Sequence, residues 1–320
     1  MIGLQCCGSF KHFSLTTASF SSFSSSLSTF SLSSLYALND NIKIIDSTTD
    51  TINDPVSLST YLRRAVLSLI GKFTSDDGKY VDYSTMKSSD EFAKFVQYSL
   101  ILPTFSIDRL LLLSDEQRLS FFINLYNVLI LHANCIIGFP ENTIESRTDF
   151  FRGKTGALYN IGGYDFSPDD IEHGILRANH AHPSGQSEGK FFADSDPRGK
   201  LALRKLDPRI HFILNCGANS CPPLRVCGDD PEKVLKSAAV SYLLSQEIKI
   251  DFNKKTLKMP KLLLWYGKDF GNTIGDRLEK ILTMLPEEKT ESIRRLIQDN
   301  DIDSYTVDYD SYDWTNNNVK

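Results

Sequence analysis

The chain lacks a basic excess: 35 Lys and Arg stand against 40 Asp and Glu, a formal net charge of -5, and no arginine precedes Arg63. An electrostatic footprint for nucleic acid is therefore missing, and no nucleic-acid partner is expected. Cysteine is sparse as well. Six in 320 residues, without the dense, regular spacing of a disulfide scaffold, suit a reducing compartment where thiols stay free, so a cytoplasmic location is the expectation. A secretory apolar core is also missing near the start, because serine interrupts the Phe and Leu residues throughout. No internal repeat is found.

What is present begins with a Ser/Phe-rich stretch, Ser9 to Ser34, with no acidic residue before Asp40. Residues 1–54 read as a disordered, low-complexity tail. A transit peptide would carry several arginines, and this stretch offers only Lys11. Cys6 and Cys7 form a paired S-acylation candidate, but the second residue is Ile2 and not glycine, so a single acyl signal would give weak membrane anchoring. At Pro55 the texture changes. Hydrophobic residues make up 41% of the chain and aromatics 11%, enough for a sizeable core. Residues 55–316 are expected to form one α+β domain, a mixed sheet with hairpins flanked by several helices, followed by a flexible end at 317–320.

The best-marked helix runs from Asp115 to about Ile137, with Ser114 as N-cap, Gln117 in the capping-box position and Gly138 past the end. From Leu119 to Ile137 it holds no charged residue, which predicts burial on most sides, and Ser120, Asn124, Asn127 and Asn134 form a polar stripe. Three asparagines and His132 argue against a transmembrane span. Gly162-Gly163 predicts a hairpin turn. Ser167-Pro168-Asp169-Asp170 predicts the capped start of a helix carrying Glu172 and His173. Arg209 to Asn215 alternates as a strand, with Ile210, Phe212 and Leu214 on one side. The loop Asn215-Cys216-Gly217-Ala218-Asn219-Ser220-Cys221-Pro222-Pro223 follows.

Several ordered segments together resemble one family: Phe122 to Asn127 with His132, Ile171 to Arg177, Asp207 to Phe212, the Cys216–Cys221 loop, Trp265-Tyr266 with Asp269-Phe270, and Tyr312-Asp313-Trp314. They are similar to the domain of unknown function 547. The resemblance spans roughly Gly78 to Trp314 and implies a single α+β domain, with no activity or catalytic residue to inherit.

The residues themselves suggest a site. Cys216 and Cys221 sit in a glycine-containing loop, where a thiol and backbone N–H groups can converge on a substrate. A thiol nucleophile needs a histidine base and a group to orient it. On a straight strand His211 would lie roughly 16 Å from Cys216 and on the opposite face, so the expected base comes from a neighbouring helix, His173 beside Glu172 or His132, with Asn127 as orienting amide. This pattern points to thiol-dependent hydrolysis or acyl transfer on a protein or small-molecule substrate. A non-catalytic binding or scaffold module is the alternative; a metal-binding site and a redox dithiol, the latter without the Cys-x-x-Cys arrangement, are further, less favoured ones. Cys216 and Cys221 are spaced more loosely than zinc ligands and have no second paired cluster, so no metal ligand set and no cofactor are assigned.

Overall fold

The computed structural model describes residues 37–39, 52, 54–184, 189–299 and 301–319. Most of the expected tail, with Cys6 and Cys7, lies outside the described residues. Its described pieces are packed. Asn39 donates to the carbonyls of Ser99 and Asn160 and accepts from the Asn160 N–H, and Ile52 belongs to the core.

The first helix, Pro55–Phe73, begins where the Asp54 carboxylate accepts from Val56 and Ser57 N–H and Pro55 fills the first turn. Leu58, Leu62, Val66 and Leu69, at helical spacing, bury its inner face. That face packs against the helix Asp90–Ser99 and the central helix Asp115–Ile136. The central helix has the expected capping box between Ser114 and Gln117, and Gly138 follows with φ 96°. It is buried almost throughout. Among the described residues it alone is long and apolar enough to cross a membrane, yet 89% of its most apolar window is covered by protein.

The polar stripe of this helix explains how the chain beyond it is held. Asn127 donates to the carbonyls of Ile213 and Arg225 and accepts from Asn215 N–H at 2.9 Å. One turn back, Asn124 donates to the Cys227 carbonyl and accepts from its N–H, each at 2.8 Å, and Ser120 donates to the Gly228 carbonyl. Side-chain amides thus satisfy the backbone on both flanks of the cysteine loop.

This changes the expected strand from Arg209 to Asn215. Pro208–Phe212 is a 3-10 turn, capped by Asp207 accepting from Arg209 N–H. Asp207-Pro208 is a helix-start signal, and apolar residues two apart over so short a stretch fit a tight turn as well as a strand.

The sheets are small. Strands β1 (Tyr159–Ile161) and β2 (Tyr164–Phe166) form the antiparallel hairpin around Gly162 and Gly163, both at positive φ as a two-residue turn requires. Strands β3 (Lys249–Asp251) and β4 (Thr256–Met259) pair antiparallel, and β5 (Thr306–Tyr309), in a region not expected to contain a strand, lies parallel to β4. The fold is α+β with a mixed sheet, and helices supply most of its core. Of the end read from sequence as flexible, 317–320, residues 317–319 are described, and Asn317 and Val319 are hydrogen-bonded to the body of the chain. Asn317 is buried, accepts from the Tyr83 hydroxyl and donates to the Lys79 carbonyl. Its neighbours run beside the cysteine loop, with Asn219 N–H on the Thr315 carbonyl and Asn317 N–H on that of Gly217.

Candidate functional site

A pocket of about 580 Å³ opens where the 144–152 segment, the 169–184 segment, the cysteine loop and residues of 262–266 and 312–314 converge. Cys216, Cys221, Glu172 and His173 all line it. The central helix contributes Tyr126. Asn127 sits behind the wall, holding the loop backbone. His132 lies in the core on another face of that helix, edge-on to Phe92 and Phe95 and 3.0 Å from the Tyr159 hydroxyl. Burial pushes its pKa down to about 3, as for a neutral packing histidine.

The acidic wall is built on an unusual turn. Residues Asp170–Leu176 wind as a π-helix, and Arg177 N–H reaches the Glu172 carbonyl, five residues back. Gly174 is required because a Cβ there would lie 2.0 Å from the Phe192 ring. Ala178 and Asn179, both left-handed, then turn the chain towards His182.

Behind Glu172 and His173 lies a buried charged network. Arg177 grips Asp269 with Nε and Nη2, at 2.7 and 2.8 Å, and His211 Nε2 contacts the same carboxylate at 2.8 Å. Burial alone would raise the Asp269 pKa, but the hydrogen bonds from Arg177 and His211 outweigh it and hold the group well below the usual carboxylate range. The His211 ring stacks on Tyr266 at 3.7 Å, and its Nδ1 lies 3.8 Å from Glu172. Tyr126 and Tyr266 are kept protonated, first by burial and then by the Glu172 charge.

At the outer end, Asp169 is pushed up to about 7 by burial and by the charge of Glu172. Its oxygens lie 3.8 Å from His173 Nε2 and 4.0 Å from His182 Nε2, and the three side chains have ligand-capable atoms within 4.8 Å of one another. His173 is held neutral by burial and then by Arg177; His182 is shifted the same way by burial, Arg152 and Arg177.

Opposite this wall, Cys216 and Cys221 are joined as a disulfide, which corrects the expectation that the thiols stay free. Cys135 and Cys227 are unpaired and buried. Cys221 Sγ accepts from Cys216 N–H at 3.1 Å, and the Tyr312 hydroxyl lies 3.2 Å from the same sulfur and 3.5 Å from Cys216 Sγ. Tyr312 is kept protonated by burial, so it can donate to sulfur. Trp265, Tyr312 and Trp314 pack against one another, with centroids 4.8 to 5.5 Å apart, as an aromatic floor.

His211 therefore shares the pocket with both cysteines, which the strand reading had argued against; a 3-10 turn, and not an extended chain, carries it there. Asp169, His182, Arg177, Asp269 and Tyr312 were not singled out by sequence as site residues. Asp169 read as a first-turn acid of a helix. Arg177, Asp269 and Tyr312 each lay in a segment that carries the family resemblance, without being read as site residues.

Fold and pocket together define an α+β domain whose one pocket wall carries a cysteine pair and the other a histidine and carboxylate network. The family described as protein of unknown function, DUF547, matches residues 110–243, so this part of the chain is similar to that family. The match takes in the central helix, the 169–182 segment and the cysteine loop, and ends before Asp269 and Tyr312. Neither a curated protein nor a solved structure matches the chain.

Proposed function

We propose that this domain is a thiol-dependent hydrolase or acyltransferase whose nucleophile is released when the Cys216–Cys221 pair is reduced. The observation that carries the reading is His211, fixed by Asp269 at 2.8 Å in the same pocket as both sulfurs. Its Nε2–H donates to Asp269, which leaves Nδ1 as the nitrogen able to take a proton. That division of roles belongs to a base with an orienting carboxylate. Arg177 keeps the carboxylate ionised, and so able to stabilise an imidazolium.

Cys221 is the better thiolate of the two. Its sulfur faces two donors, Cys216 N–H and the Tyr312 hydroxyl, and donors to the charged form lower a thiol pKa. Cys216 is its reversible cap. A cytoplasmic setting, where thiols are kept reduced, would hold the pair open.

The test is alkylation by an iodoacetamide probe with mass-spectrometric site assignment. Reduced protein should label at Cys221 ahead of the buried Cys135 and Cys227, oxidised protein should not label there, and His211→Gln should slow the reaction. Labelling of Cys221 no faster than of Cys135, or unaffected by His211→Gln, would overturn the assignment.

A further inference from the structure

Asp169, His173 and His182 have the composition of a cation site, and their ligand-capable atoms are close enough to shrink around a metal with bonds of about 2.0 to 2.2 Å. The hydrogen-bond polarity behind them is wrong for that role. Arg177 Nη1 lies 3.0 Å from His173 Nδ1. A guanidinium can only donate, so Nδ1 must accept. Arg177 cannot turn away, because Nε and Nη2 are held by Asp269 and Nη1 also donates to the Ala181 carbonyl. His182 is constrained in the same sense, since its Nδ1 accepts from Ser184 N–H at 3.1 Å.

In both neutral rings the proton therefore sits on Nε2, the nitrogen that faces Asp169. A metal-bound histidine has the reverse arrangement, with a lone pair towards the ion and its other N–H towards an acceptor. What the pocket meets here is two N–H donors and one carboxylate. The Asp169 side chain is 10% exposed, and among the described residues it accepts no hydrogen bond; its nearest donors are 3.8 to 4.0 Å away. A buried acceptor without a donor is costly and receptive.

The charge around it narrows the ligand further. The charged lining consists of Arg147 and Arg152 against Asp169 and Glu172, two of each sign once Asp169 ionises above about pH 7. Such a balance favours neither a multiply charged anion nor a bare cation. A neutral group that offers an acceptor oxygen beside an N–H donor fits both halves of the cluster.

We propose that the Asp169, His173 and His182 end of the pocket binds a carboxamide group, its oxygen accepting from the histidine Nε2–H groups and its nitrogen donating to Asp169. The aromatic floor takes the apolar part of the same molecule. This names a ligand group for the pocket, but it rests on histidine polarity and not on the thiols.

The experiment uses the full chain with ¹⁵N-labelled histidine. Two-bond ¹⁵N–¹H spectra should show the Nε2–H tautomer at His173 and His182; an Nδ1–H tautomer at His173 overturns the assignment. 4-Methylpentanamide should then shift the Nε2 resonances, whereas methyl 4-methylpentanoate, which keeps the carbonyl but has no N–H donor, should bind at least about tenfold more weakly. Equal binding of the two overturns the proposal, as does stoichiometric zinc capture through His173 Nε2. Asp169→Ala, or the milder change His182→Phe at a partly exposed position, should reduce amide binding by a similar factor. The Cys216→Ser/Cys221→Ser double variant should keep it, so loss of thiol reactivity and loss of amide binding report on separate readings.

Discussion

Arg177 and Asp269, 92 residues apart in the chain, form a two-pronged ion pair with side chains only 5% and 3% exposed. The pair fixes His211 on one side and His173 on the other, so two histidines take their hydrogen-bond polarity from one guanidinium and one carboxylate.

Breaking that pair from one side should be severe. Arg177→Met leaves the Asp269 carboxylate buried beside only His211, and removing one partner of a buried pair costs about 3 to 5 kcal/mol. Urea unfolding should report a loss of that order. Asp269→Asn, which keeps the shape, should cost stability as well and should also abolish the effect of His211 on Cys221 alkylation.

Opening the disulfide should be mild by comparison. It closes a short loop, for which chain entropy gives about 2 kcal/mol at most. The same loop is also held by Asn127 on Asn215, Asn219 on the Thr315 carbonyl and Asn317 on the Gly217 carbonyl. Reduction should lower the melting temperature by only a few degrees. A collapse of the cooperative transition on reduction would mean that the covalent bond, and not these hydrogen bonds, builds the loop.

Acid sensitivity should come in part from His132. Its pKa in the fold is about 3 against an ordinary 6.5, because burial disfavours the charged ring. Between those values the unfolded chain binds the proton and the folded one does not. Stability from this group is therefore fully present above about pH 6.5 and is lost as pH falls towards 3, with a limiting slope of about 1.4 kcal/mol per pH unit. His132→Gln should lower stability at pH 7 by removing the contact with Tyr159, yet flatten the dependence on pH between 6 and 4. Denaturant titrations at several pH values would show an unchanged slope if the histidine were not the sensor.

Asn127→Leu should destabilise by more than an ordinary core substitution. It strands Asn215 N–H and the carbonyl of Ile213 in the interior, at about 1 to 3 kcal/mol for each unsatisfied group. Hydrogen exchange should then quicken first at Asn215 and in the cysteine loop. Faster exchange confined to the first helix, Pro55–Phe73, would contradict this.

Much of the helical frame was legible in the sequence, because its signals are local. Ser114 with Gln117, the uncharged run after Leu119 and the glycines at 162 and 163 all specify structure within a turn or two. Cys216, Cys221, Glu172 and His173 were picked out from the sequence, and all four line one pocket. What could not be read was anything decided by a distant partner. Alternating apolar residues at 210, 212 and 214 suggested a strand, but amides on another helix took the backbone groups that a neighbouring strand would have used. The buried role of Arg177 depends on Asp269, and the placement of Tyr312 depends on a terminal segment zipped beside the loop. The π-helix at Asp170–Leu176 is likewise invisible to a 3.6-residue period, although it is what aims Asp169, Glu172 and His173 into one space.

The asparagines of the central helix make that helix a stand-in for a β-strand. Each primary amide offers one donor and one acceptor, as a peptide unit does, and Asn124 and Asn127 present them to residues 213–227 as a neighbouring strand would. The cysteine loop is thus geared to a rigid rod and not woven into a sheet. Because Tyr126 on the same helix lines the pocket, one helix joins the pocket interior to the backbone on both flanks of the cysteine loop.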